Sequence, residues 1–296
     1  MKVFITGASG WIGSAAVPEL LAAGHQLRGI ARSAAAADKL REAGVEPVEG
    51  DLDNLNVLRA EARKADAVLH LANKHDWSNP AESNRAERAA VETFVTALEG
   101  SGKPFLLASG VARPVGRPLT ELDPNPFAGA DAPRGGAEAL AMGYADRGVG
   151  TVSLRFSPTV HGPGGDHGFI AQLVSAARER AESAYVGDGA NRWTAVHRLD
   201  AGRLIALALD KAQGGTAVHA VAEVVTSREI AEAIGGALGL PVVSVPAEQA
   251  AAHFGWIGNF FALDVPASAD LTRERFGWEP THASLAEDIA GGAYTT

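Results

Sequence analysis

The sequence of 296 residues contains no cysteine, which excludes disulfide bonds and thiol chemistry and leaves the redox compartment open. It also has no apolar run that approaches the roughly 20 residues of a membrane-spanning helix, so we expect no membrane partner. Met1 leads directly into the first predicted strand and leaves no room for a signal peptide. A cytoplasmic location is therefore the expectation.

Positive charge is scarce as well, because 26 Lys and Arg residues face 35 Asp and Glu residues and the net charge is −9 at pH 7. A surface that binds nucleic acid usually carries an excess of basic residues, so we expect no nucleic-acid partner. The nine histidines are scattered without the spacing of a metal site, and we predict no bound metal. The length allows one large domain or two smaller ones.

Glycine, in contrast, is concentrated near the N-terminus. A short apolar strand precedes Gly7, Gly10 and Gly13, and a helix is predicted over 15–23. Such glycines let the backbone turn tightly and approach a pyrophosphate, which the N–H groups of a helix N-terminus can bind. The alternative is a glycine-rich turn without a ligand, since the spacing alone is weak support. We predict that the whole turn binds a dinucleotide, through Gly7, Ala8, Ser9, Gly10, Trp11, Ile12 and Gly13.

Strands and helices then alternate along the chain. The predicted strands are 26–31, 45–48, 67–72 and 104–108, and the predicted helices are 34–43, 54–64 and 80–99. This alternation predicts an α/β fold of the Rossmann type, with a doubly wound parallel sheet. Right-handed crossovers place the carboxyl ends of the strands along one edge, where ligands bind.

The loops at that edge supply the other cofactor residues that we predict. An NAD site usually has an acidic residue after the second strand, whereas Arg32 and Ser33 stand there and an arginine suits the 2′-phosphate of NADP. NADP(H) is therefore favoured over NAD(H), unless Arg32 is only a solvated surface cation. Asp51 and Leu52 are placed to reach the adenine. Further residues at strand ends are placed beside the ribose and nicotinamide: Leu71, Ala72, Asn73 and Ala108.

Several segments together resemble the short-chain dehydrogenase/reductase superfamily, in the extended or atypical branch that includes the NAD-dependent epimerase/dehydratases. The resembling segments are, in chain order, 6–13, 51–52, 69–72, Ser109, 155–164, 196–200 and 276–280. The resemblance covers nearly the whole chain. It implies that Phe156, Ser157, Pro158 and Thr159 line the nicotinamide face, where Ser157 can bond the carboxamide and Pro158 has no N–H.

The superfamily usually carries a Tyr-x-x-x-Lys pair, and this sequence contains none. The corresponding helix is predicted over 134–147. When Ala137-Glu138 is matched to the family's Ala-Glu dipeptide, Arg134 stands at the lysine position and Ala130 at the tyrosine position. Arg134 can still anchor a ribose or phosphate as a cation, but it cannot lose its proton. Ala130 can do no proton chemistry.

The proton donor is therefore left open among several residues. Ser109 can hydrogen-bond and polarise a carbonyl oxygen, or it can serve as a turn residue. His75 has a suitable unperturbed pKa, unless it belongs to a solvated loop. Tyr144 is expected to pack against the core, and His161 stands where the family has a supporting tyrosine. Water is the remaining alternative.

The C-terminal half is predicted to form a smaller substrate domain. We assign 1–165, with 193–222 returning to it, to the dinucleotide-binding domain, and 166–192 with 223–296 to the substrate domain. A helix is predicted over 227–238 with Ser227 as its N-cap. The apolar segment 247–261 is predicted to be a substrate lid, an oligomer contact or simply core.

These observations favour an NADPH-dependent oxidoreductase that reduces a small or medium carbonyl, or an imine, by hydride transfer. One alternative is a sugar-nucleotide epimerase or dehydratase, which the missing tyrosine disfavours. Another is a regulator that binds NADP without turnover. The expected partner is a small-molecule substrate. A homodimer is also possible, with the helices at 81–99 and 134–147 pairing between two copies.

Overall fold

The computed structural model describes residues 1–74, 76, 79–111 and 113–295. By internal contacts the chain forms two compact units that interleave along the sequence. The first unit comprises 1–109, 122–155 and 202–218, and the second comprises 110–121, 156–201 and 219–296. Residues 156–165 thus belong to the second unit, whereas our predicted division placed them in the dinucleotide-binding domain.

The secondary structure agrees closely with the predicted alternation. The strands are β1 (Lys2–Thr6), β2 (Gln26–Ala31), β3 (Glu46–Glu49), β4 (Ala67–His70), β5 (Pro104–Gly110), β6 (Gly150–Phe156), β7 (Thr159–His161), β8 (Ser183–Val186), β9 (Arg192–His197), β10 (Thr216–Ala220), β11 (Glu223–Thr226) and β12 (Val242–Val245). The helices are α1 (Gly13–Ala22), α2 (Ala34–Glu42), α3 (Leu55–Lys64), α4 (Pro80–Leu98), α5 (Ala137–Met142), α6 (Phe169–Arg180), α7 (Arg198–Lys211), α8 (Ser227–Leu238), α9 (Ala250–Phe254), α10 (Gly258–Phe261), α11 (Asp270–Phe276) and α12 (Leu285–Ala290).

Within the described residues, seven strands form one sheet in the order β10-β6-β5-β4-β1-β2-β3. β1 pairs in parallel with β2 on one side and with β4 on the other, and β4 pairs in parallel with β5. The chain therefore winds outward from β1 in both directions, which confirms the doubly wound Rossmann-type fold. In such sheets ligands bind at the carboxyl ends beside the strand where the winding reverses.

The strands are buried on both faces, as a parallel sheet requires. Val3, Phe4 and Ile5 of β1 are at most 1% exposed. Helix α4 covers the sheet with Phe94, whose ring lies 6.2 Å from that of Phe4 and 5.6 Å from that of Phe105. Asn79 begins this helix by accepting a hydrogen bond from the Glu82 N–H, with Pro80 in the first turn.

The predicted helix over 134–147 is wrong as a continuous element. Arg134, Gly135 and Gly136 all have positive φ angles, of 54°, 62° and 61°, and α5 begins only at Ala137. Two glycines in succession remove the steric penalty against the left-handed region, so the chain turns before it becomes helical.

The described part of the second unit contains two small sheets, β11-β9-β7 and β12-β8. Its core surrounds Trp193, whose ring centroid lies 5.0 Å from Phe260 and 5.1 Å from Phe261. Four residues of the apolar segment 247–261 are buried in this core: Ala250, Phe254, Ile257 and Phe261. Trp256 of the same segment is 53% exposed.

The N-cap of α8 is Thr226 and not Ser227 as predicted. Thr226 accepts a hydrogen bond from the Glu229 N–H, and the Glu229 carboxylate accepts one from the Thr226 N–H. This reciprocal capping box satisfies two helix-end donors at once. Separately, none of the described helices has the length and apolarity needed to cross a membrane.

Candidate active site

The predicted glycine turn lies at the carboxyl end of β1, beside the strand where the winding reverses. Gly7 has a φ angle of 76°, and a Cβ added there would stand 2.8 Å from the backbone nitrogen of Ala72. A Cβ on Gly13 would stand 2.0 Å from the Gly7 carbonyl oxygen. Glycine is therefore required at both positions to close the turn.

The same turn leaves the start of α1 open to a ligand. Ser9 and Gly10 are exposed, and the side chain of the N-cap residue Ile12 makes no capping hydrogen bond. A helix N-terminus offers N–H donors and a partial positive charge. Backbone that can be approached closely, followed by a helix start without a side-chain cap, fits a pyrophosphate. Ala8 and Gly13 are buried and support the turn, whereas Trp11 is half-buried.

Arg32 and Ser33 follow β2 directly, as predicted. The Arg32 side chain is exposed at the carboxyl end of the strand. Ser33 is the N-cap of α2, and its hydroxyl accepts a hydrogen bond from the Ala36 N–H at 3.2 Å. A cation beside a second helix N-terminus suits an added phosphate group.

Asp51 and Leu52 have structural roles of their own at the end of β3. The Asp51 carboxylate accepts hydrogen bonds from the N–H groups of Asp53, at 2.9 Å, and Asn54, at 3.2 Å. Leu52 is buried among the core residues of the first unit. Asp51 is nevertheless exposed, so one face of its carboxylate can meet a ligand.

A buried polar network lies behind the loop that follows β4. The Glu87 carboxylate, 1% exposed on α4, accepts a hydrogen bond from the Asn73 side chain at 3.0 Å and pairs with Arg134 at 2.6 Å. Its Oε1 atom lies 3.7 Å from His70 Nε2, and His70 Nδ1 is bonded to the Thr6 hydroxyl. Leu71 and Ala72 lie in the same loop, half-buried.

This network lowers the pKa of the Glu87 carboxyl group. Burial alone would raise the pKa of Glu87, but the Arg134 charge, His70 and the Asn73 amide outweigh burial and lower it to about 2. Arg134 reaches Glu87 from a left-handed backbone conformation, with its N–H bonded to Asn84 Oδ1 at 2.9 Å. The network therefore fixes Arg134 at the edge of the sheet without helix support.

A second carboxylate lies beside Ser109, at the carboxyl end of β5. The Ser109 hydroxyl donates to Glu138 Oε2, and the Asn125 amide donates to the same oxygen at 2.5 Å. Arg155 pairs with the other oxygen at 2.7 Å. Burial alone would raise the pKa of Glu138, but Arg155 and these donors hold it below its usual range. Ala108 precedes this group on the strand.

The residues expected at the nicotinamide face belong to the second unit. Both the N–H and the hydroxyl of Ser157 donate to the Ala220 carbonyl oxygen, at 3.3 and 2.8 Å. The side-chain donor that we expected for a carboxamide is therefore engaged within the unit. Phe156 and Thr159 are buried, and Pro158 is half-buried.

The other candidate proton donors are His75, Tyr144 and His161. His75 lies outside the described residues. Tyr144 packs against the core as expected, with the Arg147 guanidinium 3.9 Å from its ring centroid. His161 is buried, and its Nδ1 is bonded to Asp288 at 2.5 Å.

Sequence reasoning missed Glu87 and the role of Glu138. A signal for Glu87 was present, because Ser83, Ala90, Val91 and Phe94 mark the buried face of α4 and Glu87 falls on that face. For Glu138 the sequence showed only the Ala-Glu dipeptide, and nothing local connects it with Ser109 or Arg155.

Comparison with known proteins agrees with this geometry. The model of the NAD dependent epimerase/dehydratase family matches residues 3–222. The chain belongs to this family. A family member binds NAD or NADP, and the glycine turn at the end of β1 fits the pyrophosphate of either.

Similar proteins span the whole chain. An uncharacterised protein of Schizosaccharomyces pombe is 40% identical and covers 99% of this chain and 100% of its own length. The 2′-dehydrokanamycin reductase of Streptomyces kanamyceticus is 31% identical over 85% of this chain and 71% of its own. A dTDP-glucose 4,6-dehydratase of Streptomyces venezuelae shares the fold, with a TM-score of 0.76 and 20% identity over 99% of this chain and 96% of its own.

Proposed function

We propose that this family member is an NADPH-dependent oxidoreductase that reduces a small or medium carbonyl compound, or an imine, by hydride transfer. The proposal rests on the residues at the carboxyl edge of the sheet in the first unit. There the start of α1 without a side-chain cap, an exposed arginine after β2 and a serine at the carboxyl end of β5 lie at ends of strands of one sheet, in the order β5-β4-β1-β2. The similarity to a reductase of Streptomyces kanamyceticus supports reduction as the reaction class.

In this proposal the glycine turn and the start of α1 hold the pyrophosphate, and Arg32 holds the 2′-phosphate. Asp51 and Leu52 lie toward the adenine, and Leu71, Ala72, Asn73 and Ala108 lie toward the ribose and nicotinamide. For the nicotinamide face, the family pattern implies Phe156 to Thr159. When bound, the reduced cofactor supplies the hydride.

Arg134 acts here as a fixed donor and not as an acid. An arginine keeps its proton in proteins, and this one is already paired with Glu87. We therefore propose that it anchors a ribose hydroxyl or a phosphate oxygen with the N–H groups that face away from Glu87.

The test is oxidation of NADPH and NADH, side by side, against a panel of ketones, aldehydes and imines. We expect consumption of NADPH with at least one acceptor, and faster turnover with NADPH than with NADH at equal concentration. Tight binding of either cofactor with no consumption by any acceptor would instead support a non-catalytic regulator. Conversion of a sugar nucleotide without net change in cofactor would support an epimerase or dehydratase.

A further inference from the structure

Ser109 has a single hydroxyl proton, and that proton points at Glu138. Glu138 is buried, and Arg155 and Asn125 hold its two oxygens in addition to Ser109. The pairing with Arg155 keeps the carboxylate ionised, so it accepts hydrogen bonds and has no proton to return. Ser109 consequently presents only its oxygen lone pairs to any group that approaches from the half-buried outer side.

A hydroxyl oriented in this way favours one kind of partner. Because its hydrogen is drawn toward an anion, the oxygen is polarised and becomes a better acceptor. The partner that gains most is a cationic N–H donor, since charge-assisted hydrogen bonds are about twice as strong as neutral ones. A ketone oxygen is itself an acceptor, so its lone pairs would face the lone pairs of Ser109 and no hydrogen bond would form.

We propose that Glu138 positions Ser109 as a hydrogen-bond acceptor, and that the substrate is a protonated imine whose N–H donates to Ser109. This inference rests on the proposed reductase function and names its substrate class. Ser109 touches the substrate in this scheme, whereas Glu138 acts through it and is a positioning residue.

The chemistry balances without an acid. A carbon–hydrogen bond forms at the iminium carbon with the two electrons of the hydride, and the C=N π pair becomes the lone pair of the nitrogen. The imine is reduced to a neutral amine, and NADPH is oxidised to NADP⁺. Reduction of a ketone would also require a proton for the oxygen, and neither Ser109 nor ionised Glu138 can supply one.

Three acceptors of similar shape separate the possibilities: protonated pyrroline, its N-methyl iminium ion and cyclopentanone. The imine and the N-methyl ion share the cation, but only the imine has an N–H. We expect kcat/KM to be highest for the protonated imine. Ser109→Ala should lower that value roughly 30-fold, the size of one hydrogen bond to a charged group, and leave the N-methyl ion nearly unchanged. Ser109→Thr, which keeps the hydroxyl, should restore it.

Glu138→Gln tests the positioning role. Its amide can donate to Ser109 and turn the hydroxyl proton outward, so the kcat/KM ratio of cyclopentanone to imine should rise. A ratio within one variant does not depend on how much protein is folded, which matters because Arg155 loses its charged partner. Asn125→Ala is the matched control, since it removes a different donor to the same carboxylate oxygen and should leave the ratio unchanged.

A binding measurement provides a readout apart from turnover. The cyclic amidinium iminopyrrolidinium, a stable N–H cation, should bind the NADP⁺ complex more tightly than γ-butyrolactone, which only accepts. Ser109→Ala should remove that difference.

The outcomes distinguish this inference from the function on which it rests. Preference for ketones, or equal losses for all three acceptors in Ser109→Ala, overturns the inference and leaves the reductase standing. Failure of every acceptor in the wider panel to consume NADPH or NADH overturns the proposed function itself.

Discussion

At the scale of single residues, cofactor preference depends on Arg32. Removing the guanidinium in Arg32→Ala deletes a charge-assisted contact with a 2′-phosphate, which is worth about 1.5–3 kcal/mol. We expect the Kd for NADPH to rise between about 10-fold and 100-fold while the Kd for NADH stays nearly constant. Titration calorimetry with both cofactors measures this. Arg41→Ala, an exposed arginine of α2 paired with Asp38, is the control. Equal weakening of both cofactors would contradict a 2′-phosphate contact.

The charge state of Glu87 bears directly on stability. Its pKa of about 2 in the folded chain lies below the 4.5 of an ordinary glutamate, so the folded state favours its ionised form. The resulting stability, roughly 3 kcal/mol, is present above about pH 4.5 and is lost as pH falls toward 2. In Glu87→Gln this part is absent. The difference in free energy of unfolding between wild type and variant should therefore shrink steadily as pH falls through this window.

Urea unfolding at a series of pH values measures the Glu87 effect. Glu92→Gln changes an exposed carboxylate on the same helix and serves as the matched control. A Glu87→Gln difference that is the same at pH 7 and pH 3 would show that the ion pair with Arg134 contributes nothing.

At the scale of elements, the left-handed turn before α5 tolerates side chains poorly. A Cβ on Gly135 would stand 2.4 Å from the Asn84 carbonyl oxygen in α4, in addition to the φ penalty for a non-glycine residue. Gly135→Ala should therefore destabilise the chain by at least about 2 kcal/mol. Gly143→Ala is the matched control, because Gly143 has a φ of −64° and its added Cβ would have a nearest neighbour at 3.4 Å. Similar melting temperatures for the two variants would refute this account.

The same turn bears on the predicted homodimer. Gly135 approaches α4 of its own chain, and Gly136 approaches the backbone of Gly129. Pairing of 81–99 and 134–147 between two copies stays a prediction, which light scattering of the purified chain can test.

Elements with a strong local pattern were predictable from the sequence. The bounds of β2 and α8 match the predicted ranges, because their periodicity and breakers are local. The turn at 134–136 was not predictable, because a helix pattern surrounds it and Arg134 adopts its φ only through Asn84 and Glu87, about 50 residues earlier. The positions of the predicted cofactor residues at strand ends followed from the sequence, and their binding to a cofactor stays a prediction. The partner of Ser109 did not, because Glu138, Asn125 and Arg155 meet only in the folded chain.

At the scale of the whole molecule, acid sensitivity above pH 5 should come from the second unit. His197 is buried, its ring stacks on His282 with centroids 4.8 Å apart, and its Nδ1 accepts the Leu199 N–H. Burial and the neighbouring His161 and His282 lower the pKa of His197, although Asp288 and Asp200 act in the opposite direction. The folded state therefore favours the neutral ring, and stability should be lost as pH falls below about 6.5.

His197→Gln should reduce this loss of stability at low pH, because glutamine cannot take up the proton. The measurement is the urea midpoint at about pH 8, 6 and 5. His167→Gln replaces an exposed histidine of the same unit and serves as the control. A wild-type slope that persists unchanged in His197→Gln would assign the acid sensitivity to another group.

The closeness of the backbone around Gly7 and Gly13 has a consequence for evolution. Any side chain at Gly13 would overlap the Gly7 carbonyl oxygen, whether or not a nucleotide is bound. Selection for folding alone therefore preserves both glycines, while Arg32 on the surface is free to drift. A lineage can lose its cofactor and still keep the glycine signature. Among divergent descendants, the residue after β2 is then the better marker of retained nucleotide chemistry.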